Sequence, residues 1–142
     1  VEQVKKQVVR MPMTGVVMDG SSVFNFAQKE VPVLIDSLVK EAGISKEEIE
    51  WFLFHQPNKF MLQKLAERMK VPYEKVPMEL VGKYGNSNSS TIPTLITTDM
   101  QEEMRNTETL CCLAGFGAGV TWTGIIMKMG KMDFCETVIS NL

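Results

Sequence analysis

The fold is decided by one stretch, Thr109-Leu110-Cys111-Cys112-Leu113-Ala114-Gly115-Phe116-Gly117-Ala118-Gly119-Val120-Thr121-Trp122. Residues 109–114 are almost all apolar and predict a buried strand. Residues 115–119 are rich in glycine and predict a tight turn. Residues 120–129 contain many β-branched and aromatic side chains, which predict a last strand. The chain should therefore close with a β-hairpin.

The chain before this hairpin alternates strands and helices. Residues 13–19 and 51–54 predict strands, and residues 76–80 predict a weaker one. Between these segments, apolar side chains recur at steps of three and four, which predicts amphipathic helices. The pattern predicts an α/β fold in which a mixed sheet is covered by helices and closed by the hairpin.

Three details of the helices can be predicted as well. Ser21 or Ser22 is a candidate N-cap for the first helix, and Gly43 should end it. Pro32 falls inside that helix and should kink or tighten it, because its ring clashes with the preceding turn. A third helix should run as one segment from a cap at Ser89 or Ser90.

The organisation of the chain is simple. Residues 1–12 are a leading segment or linker, residues 13–130 form one domain, and residues 131–142 are a tail without a clear pattern. The chain begins with valine, so we interpret it as a piece of a longer protein.

The composition argues against several classes of function. Apolar residues make up 44% of the 142 residues and charged residues 23%, which is typical of a folded globular domain. The net charge is −2 with no basic stripe, which argues against nucleic acid as a partner. The most apolar run, residues 110–120, is too short to cross a membrane.

The cysteines point to a reducing compartment. There are three, two of them adjacent, without the spacing of metal ligands. We therefore expect a cytoplasmic protein without a metal site or cofactor.

Three loops hold candidate functional residues. His55, the only histidine, follows the buried strand 51–54, and catalytic groups of α/β sheets gather at strand ends. Asn86 lies in a polar loop, where asparagine is commonly a turn residue. The glycine turn could bring backbone N–H groups close to a ligand. Alone, each has a simpler structural explanation.

Their order along the chain is specific. His55-Gln56-Pro57-Asn58 is followed by Gly85-Asn86-Ser87-Asn88-Ser89-Ser90-Thr91-Ile92-Pro93 and then by Gly115-Phe116-Gly117-Ala118-Gly119-Val120-Thr121-Trp122. This series resembles the carboxyl-terminal half of β-ketoacyl-acyl-carrier-protein synthase III, a condensing enzyme with the thiolase fold. The resemblance covers approximately residues 13–129.

The resemblance implies a role for each loop. His55 and Asn86 would donate hydrogen bonds to the enolate that forms when malonyl on acyl-carrier protein loses its carboxylate. Backbone N–H groups near Gly117 and Ala118 would stabilise the second oxyanion. Asn58 and Phe116 are expected to contact the substrate.

The family's nucleophilic cysteine lies in the amino-terminal half, which would precede Val1. Cys111 and Cys112 fall in a predicted buried strand and are poor substitutes, as is Cys135 in the tail. We therefore expect the chain alone to be inactive. The resemblance further implies acyl-CoA and malonyl-acyl-carrier protein as substrates, packing against its own amino-terminal domain, and a homodimer.

Other interpretations stay open. Chalcone-synthase-like enzymes typically have proline where Ala118 stands, and hydroxymethylglutaryl-CoA synthases use a glutamate of the missing half. A specialised synthase III relative in a secondary or surface-lipid pathway is a further alternative. A non-catalytic thioester-binding or scaffolding domain is the alternative from another class.

Overall fold

The computed structural model describes residues 18–138 and residue 140. The helices are α1 (Gly20–Ala42), α2 (Lys59–Met69), α3 (Leu80–Tyr84), α4 (Thr91–Thr98) and α5 (Gln101–Asn106). The strands are β1 (Trp51–Phe54), β2 (Glu108–Gly117) and β3 (Thr121–Gly130). Residues 1–12 and most of the predicted strand 13–19 lie outside the described residues; Met18 and Asp19 precede α1 without forming a strand.

The described strands form a mixed sheet in the order β1-β2-β3. β1 runs parallel to β2, with Trp51 opposite Cys111 and Phe54 opposite Ala114. β3 returns antiparallel along the whole of β2, which confirms the mixed sheet and the closing hairpin. The turn is shorter than predicted, because residues 115–117 still pair with β3 and only residues 118–120 remain in the turn.

Helix α1 begins differently from the prediction. Its N-cap is Asp19, whose Oδ1 accepts the backbone N–H groups of Ser21 at 3.0 Å and Ser22 at 3.2 Å. Neither serine is the cap, because the carboxylate of Asp19 already accepts the backbone N–H groups of both serines. Gly43 ends the helix as predicted, with φ at 67°. Pro32 lies inside α1 without ending it.

Residues 76–80 do not form the predicted strand. Val76 follows a short 3-10 turn (Tyr73–Lys75), and Leu80 begins α3. Their apolar side chains are buried all the same, including Met78. Apolar residues alternate here because every second side chain of an irregular segment is buried. A strand with one buried face would give the same sequence pattern.

The predicted third helix is two helices. α4 ends at Thr98 and α5 begins at Gln101. Ser90 occupies the N-cap position of α4, but its hydroxyl donates to the carbonyl of Ser87 at 2.8 Å instead of capping the helix. Leu95 in α4, Met100 between the helices and Met104 in α5 are all buried. The break between the two helices therefore does not interrupt their apolar face.

Two apolar clusters cover the two faces of the sheet. Phe52 and Phe54 pack with Cys112 against α1 and α2. Leu53 and Cys111 pack on the other face against α3, α4 and α5. Burial on both faces explains why β1 is a continuous apolar run without alternation.

The segment after β3 packs against this second cluster. Cys135 is buried there, and its thiol approaches the carbonyl of Ile96 at 3.5 Å. The backbone N–H of Met132 donates to the carbonyl of Met104 at 3.0 Å. Met132 and Cys135 therefore pack with the second cluster beside α4 and α5. Across the described residues, no helix has the length and apolarity needed to cross a bilayer.

Candidate functional site

A cavity of about 410 Å³ opens where β1 ends beside the hairpin. His55 lines it from the end of β1. The loop before α4 and its first turn contribute Asn88, Ser89, Thr91 and Ile92. The end of the hairpin contributes Gly115, Phe116, Gly117, Ala118 and Thr121. The carboxyl end of a strand, a helix start and a glycine-rich turn thus meet in one pocket.

His55 is fixed in this pocket from three directions. Its backbone N–H donates to the carbonyl of Ala114 at 2.9 Å and continues the β1–β2 pairing. Its Nδ1 lies 2.7 Å from Oγ1 of Thr91. Its ring meets the ring of Phe116 edge to face, with centroids 5.6 Å apart. These contacts hold the imidazole in one orientation.

The pocket also sets the charge of His55. Burial lowers the pKa of the imidazole, and a hydrogen bond to the backbone carbonyl of Asn88 opposes that shift in part. A neutral imidazole near pH 7 can donate from one ring nitrogen and accept at the other. The site therefore provides a polar group of fixed orientation without a permanent charge.

The predicted residues of the hairpin lie at the cavity. Phe116 is buried opposite Trp122, and Gly117 pairs with Thr121. Ala118 begins the turn and lines the cavity. The turn holds Val120 at a φ of 50°, a left-handed conformation that is unfavourable for a β-branched residue. The backbone that faces the pocket is thus held in a tight and locally strained turn.

Asn86 is not brought into the same cavity. Its side chain is exposed, and its Oδ1 accepts the backbone N–H of Asn88 at 2.9 Å. This is the turn-forming role that asparagine commonly has in a polar loop. The residues of this loop that line the cavity are instead Asn88 and Ser89. The catalytic role of Asn86 stays a prediction.

Asn58 caps a helix. Its Oδ1 accepts the backbone N–H of Met61 at 2.8 Å at the start of α2, and its side chain does not line the cavity. Capping by asparagine contributes on the order of 1 kcal/mol to stability. The predicted contact of Asn58 with substrate stays a prediction.

Two buried polar residues were not selected from the sequence. Thr91 is 1% exposed and contacts His55 directly. Gln56 is fully buried, and its Nε2 donates to the carbonyls of Phe54 at 2.9 Å and Pro77 at 3.0 Å. Gln56 thus fastens the end of β1 to the segment before α3. Its position directly after His55, at the end of an apolar strand, is the signal that could have identified it.

The three cysteines do not supply a nucleophile in this structure. Burial raises the pKa of the Cys112 thiol to about 12 and raises that of Cys111 as well. Cys135 is buried on the face of the sheet that carries the second cluster. The described part of the chain also contains no group of three His, Cys, Asp or Glu side chains arranged to hold a metal ion.

Residues 39–129 match the family described as 3-oxoacyl-[acyl-carrier-protein (ACP)] synthase III C terminal. The chain belongs to this synthase III family. A β-ketoacyl-[acyl-carrier-protein] synthase III of Prochlorococcus marinus is 36% identical over 113 residues, which cover 80% of this chain and 33% of the relative. The chain thus spans about a third of the length of that relative.

Solved synthase III structures share the fold. A 3-oxoacyl-(acyl-carrier protein) synthase from Burkholderia xenovorans superposes with a TM-score of 0.81 at 36% identity, over 85% of this chain and 34% of that one. The enzyme of Thermus thermophilus gives a TM-score of 0.75 at 28% identity, over 87% and 40%. The predicted family and the thiolase-like fold of this chain are thereby confirmed.

Proposed function

We propose that this chain is the carboxyl-terminal catalytic half of a 3-oxoacyl-[acyl-carrier-protein] synthase III. It would serve fatty acid biosynthesis as an acyltransferase, condensing an acyl thioester with malonyl-acyl-carrier protein. The observation that carries the proposal is His55, held in a cavity with Phe116, Gly117 and Ala118, in a chain of this family.

His55 would act on the malonyl thioester. When the bond between the carboxylate and the α-carbon breaks, CO₂ leaves and the electron pair stays in an enolate. The negative charge collects on the thioester oxygen, where a fixed hydrogen-bond donor stabilises it. The lowered pKa of His55 supports a neutral ring, which can donate one N–H without being charged.

Asn86 is the proposed second donor. Its Oδ1 already accepts from the N–H of Asn88, so only the amide NH₂ remains for a substrate oxygen. Because Asn86 lies outside the cavity lining, the side chain would have to turn toward His55 when substrate is bound. Asn58 and Phe116 are proposed as contacts of the substrate arm.

The second oxyanion forms when the enolate carbon attacks the acyl thioester. Backbone N–H groups at Gly117 and Ala118 are the proposed donors, since both residues line the cavity. That attack makes the new carbon–carbon bond. The oxyanion then collapses to a ketone, the carbon–sulfur bond breaks and the enzyme thiolate leaves. None of the three cysteines here is suited to carry the acyl group, because all are buried.

The covalent step is therefore assigned to an amino-terminal half that would pack against this chain. The complete protein is proposed to be a cytoplasmic homodimer that takes acyl-CoA as acyl donor. Full-length protein, acyl-CoA and malonyl-acyl-carrier protein should yield a β-ketoacyl product, whereas the 142-residue chain alone should yield none. Thioester binding without product by the full-length protein would favour the non-catalytic alternative.

A further inference from the structure

The segment after β3 packs against the helices beside the cavity through residues 132–137, which we call the strap. The strap lies beyond residues 39–129, the part of the chain that matches the synthase III family. It contains no helix or strand, so no backbone ladder of its own fixes its shape. Its backbone N–H at Met132 donates to the carbonyl of Met104 in α5 at 3.0 Å. Contacts with α4 and α5 therefore determine where the strap lies.

The strap meets α4 at two neighbouring residues. Cys135 is 3% exposed and directs its thiol at the carbonyl of Ile96, at 3.5 Å. Oγ1 of Thr137 lies 2.9 Å from Oγ1 of Thr97 and 3.4 Å from the carbonyl oxygen of Thr97. Phe134 is 65% exposed, so the strap turns Cys135 toward the helix and Phe134 toward solvent. Both contacts fall in the half of α4 that is farther from the cavity.

Helix α4 needs support from outside, because its sequence is a poor helix former. Six of its eight residues are threonine or isoleucine, whose branched side chains lose rotamer freedom in a helix. The hydroxyls of Thr94, Thr97 and Thr98 donate to carbonyls four residues earlier, and such bonds tend to bend a helix. Ser90 provides no side-chain cap. A helix this short has little stability without packing.

The other end of α4 is a wall of the cavity. Thr91 and Ile92 are its first two residues and line the cavity, and Oγ1 of Thr91 lies 2.7 Å from Nδ1 of His55. Ile96, which contacts the strap, is one helical turn from Ile92, a separation of about 6 Å along the axis. Fraying of α4 at the strap therefore reaches the cavity within about one turn.

We propose that the strap fixes the cavity wall beside His55 by holding α4, with Cys135 and Thr137 as its positioning residues. The helix is then held from two sides, because Leu95 is buried in the cluster against the sheet and the strap contacts the two residues that follow. Without the strap, α4 would fray and water would reach the imidazole. Because this role concerns the wall and not the reaction, it holds whether or not His55 acts on malonyl.

Cys135→Glu in the 142-residue chain tests this role. An unpaired carboxylate cannot stay buried beside the carbonyl of Ile96, so the strap must leave α4. Hydrogen exchange of the backbone amides of residues 95–98, followed by NMR, should become at least about tenfold faster, whereas the amides of β2 should keep their rates. The pKa of His55 should rise toward its ordinary value, because burial is the main cause that lowers it.

Two further variants separate the strap contact from charge and from the thiol itself. Phe134→Glu adds the same charge at an exposed neighbouring position and should leave both readings unchanged. Cys135→Ala keeps a small apolar side chain and should retain the values of the unmodified chain. Faster exchange confined to the strap in Cys135→Glu, with α4 and His55 unaffected, would overturn the proposal. Equal effects of the two glutamate variants would do the same.

Thr137→Val decides the question if Cys135→Glu does not fold. This variant removes only the hydroxyl that faces Thr97 and keeps the branched shape. The amides of residues 95–98 should then exchange about threefold faster, as expected for the loss of one weak hydrogen bond. Unchanged exchange would contradict the proposal. All of these readings are made without substrate, so they stand apart from whether the full-length protein forms a β-ketoacyl product.

Discussion

The ring of His55 meets the ring of Phe116 edge to face, with their centroids 5.6 Å apart and their planes at 80°. His55 lies at the end of β1 and Phe116 near the end of β2, so the parallel pairing of these strands creates the contact. Phe116 also excludes water from one side of the imidazole. Burial of this kind is the main cause of the lowered pKa of His55.

Replacing Phe116 should therefore raise the pKa of His55 toward its ordinary value. Phe116→Leu keeps an apolar side chain but removes the ring, which admits water and eases the charging of the imidazole. The pKa is measured by NMR titration of the single histidine. Phe60→Leu is the matched control, because Phe60 is 59% exposed and stacks on Phe24. Equal shifts in both variants would show that Phe116 has no specific effect.

His55 should make the stability of the fold depend on pH. Folding lowers its pKa, so the unfolded chain binds the proton first as the pH falls. The contribution of His55 to the free energy of unfolding is therefore complete above about pH 6.5, and it is lost as the pH drops through the folded-state pKa. The free energy of unfolding, measured with urea from about pH 7.5 to 5.5, should decrease.

The control for this prediction is His55→Gln, which should flatten the same curve because glutamine does not titrate. Carboxylates with lowered pKa, Asp19, Glu47 and Glu67, reduce stability only at more acidic pH. A slope that persists unchanged in His55→Gln would assign the dependence to other groups.

The cysteines should resist alkylation while the chain is folded. Cys111, Cys112 and Cys135 are buried, and burial raises the pKa of the first two, so little thiolate is present. Iodoacetamide at about pH 8, followed by mass spectrometry, should give almost no adduct in buffer and three per chain in denaturant. Rapid labelling of Cys111 or Cys112 in the folded chain would reopen their use as a nucleophile.

Gly130 should be intolerant of any side chain. An added Cβ would lie 1.8 Å from the carbonyl oxygen of Thr107, and the φ of Gly130 is 125°. Gly130→Ala should lower the free energy of unfolding by about 2 kcal/mol or more. Gly82→Ala is the control, because Gly82 lies in α3 with nothing within 4 Å, and it should be neutral or stabilising. Similar losses in both variants would contradict the assigned close approach.

The sequence was informative where a regular pattern coincided with burial. The hairpin, β1 and the apolar face of α2 were predicted because strand and helix periods show directly in apolar residues. The family was predicted from the order of three loops, each of which was ambiguous alone. The predicted strand at residues 76–80 was wrong, because burial of an irregular segment produces the same alternation.

The site was less predictable than the fold. His55 and Phe116 could be placed from their strands, since parallel pairing fixes which residues are neighbours. The Thr91 contact depends on how a polar loop turns into α4, and no periodicity encodes that. The capping bond of Asn58 and the turn bond of Asn86 likewise depend on local backbone geometry.

The main role proposed for His55 is to stabilise the enolate formed from malonyl. Malonyl decarboxylation and acyl loading, measured separately in the full-length protein, test this role. His55→Ala should slow decarboxylation by about 100-fold or more, the loss expected for one oxyanion donor, and leave acyl loading nearly unchanged. Asn86→Ala should likewise slow decarboxylation and leave acyl loading nearly unchanged. If His55→Ala slows both steps equally, or slows neither, His55 is not the donor that stabilises the enolate.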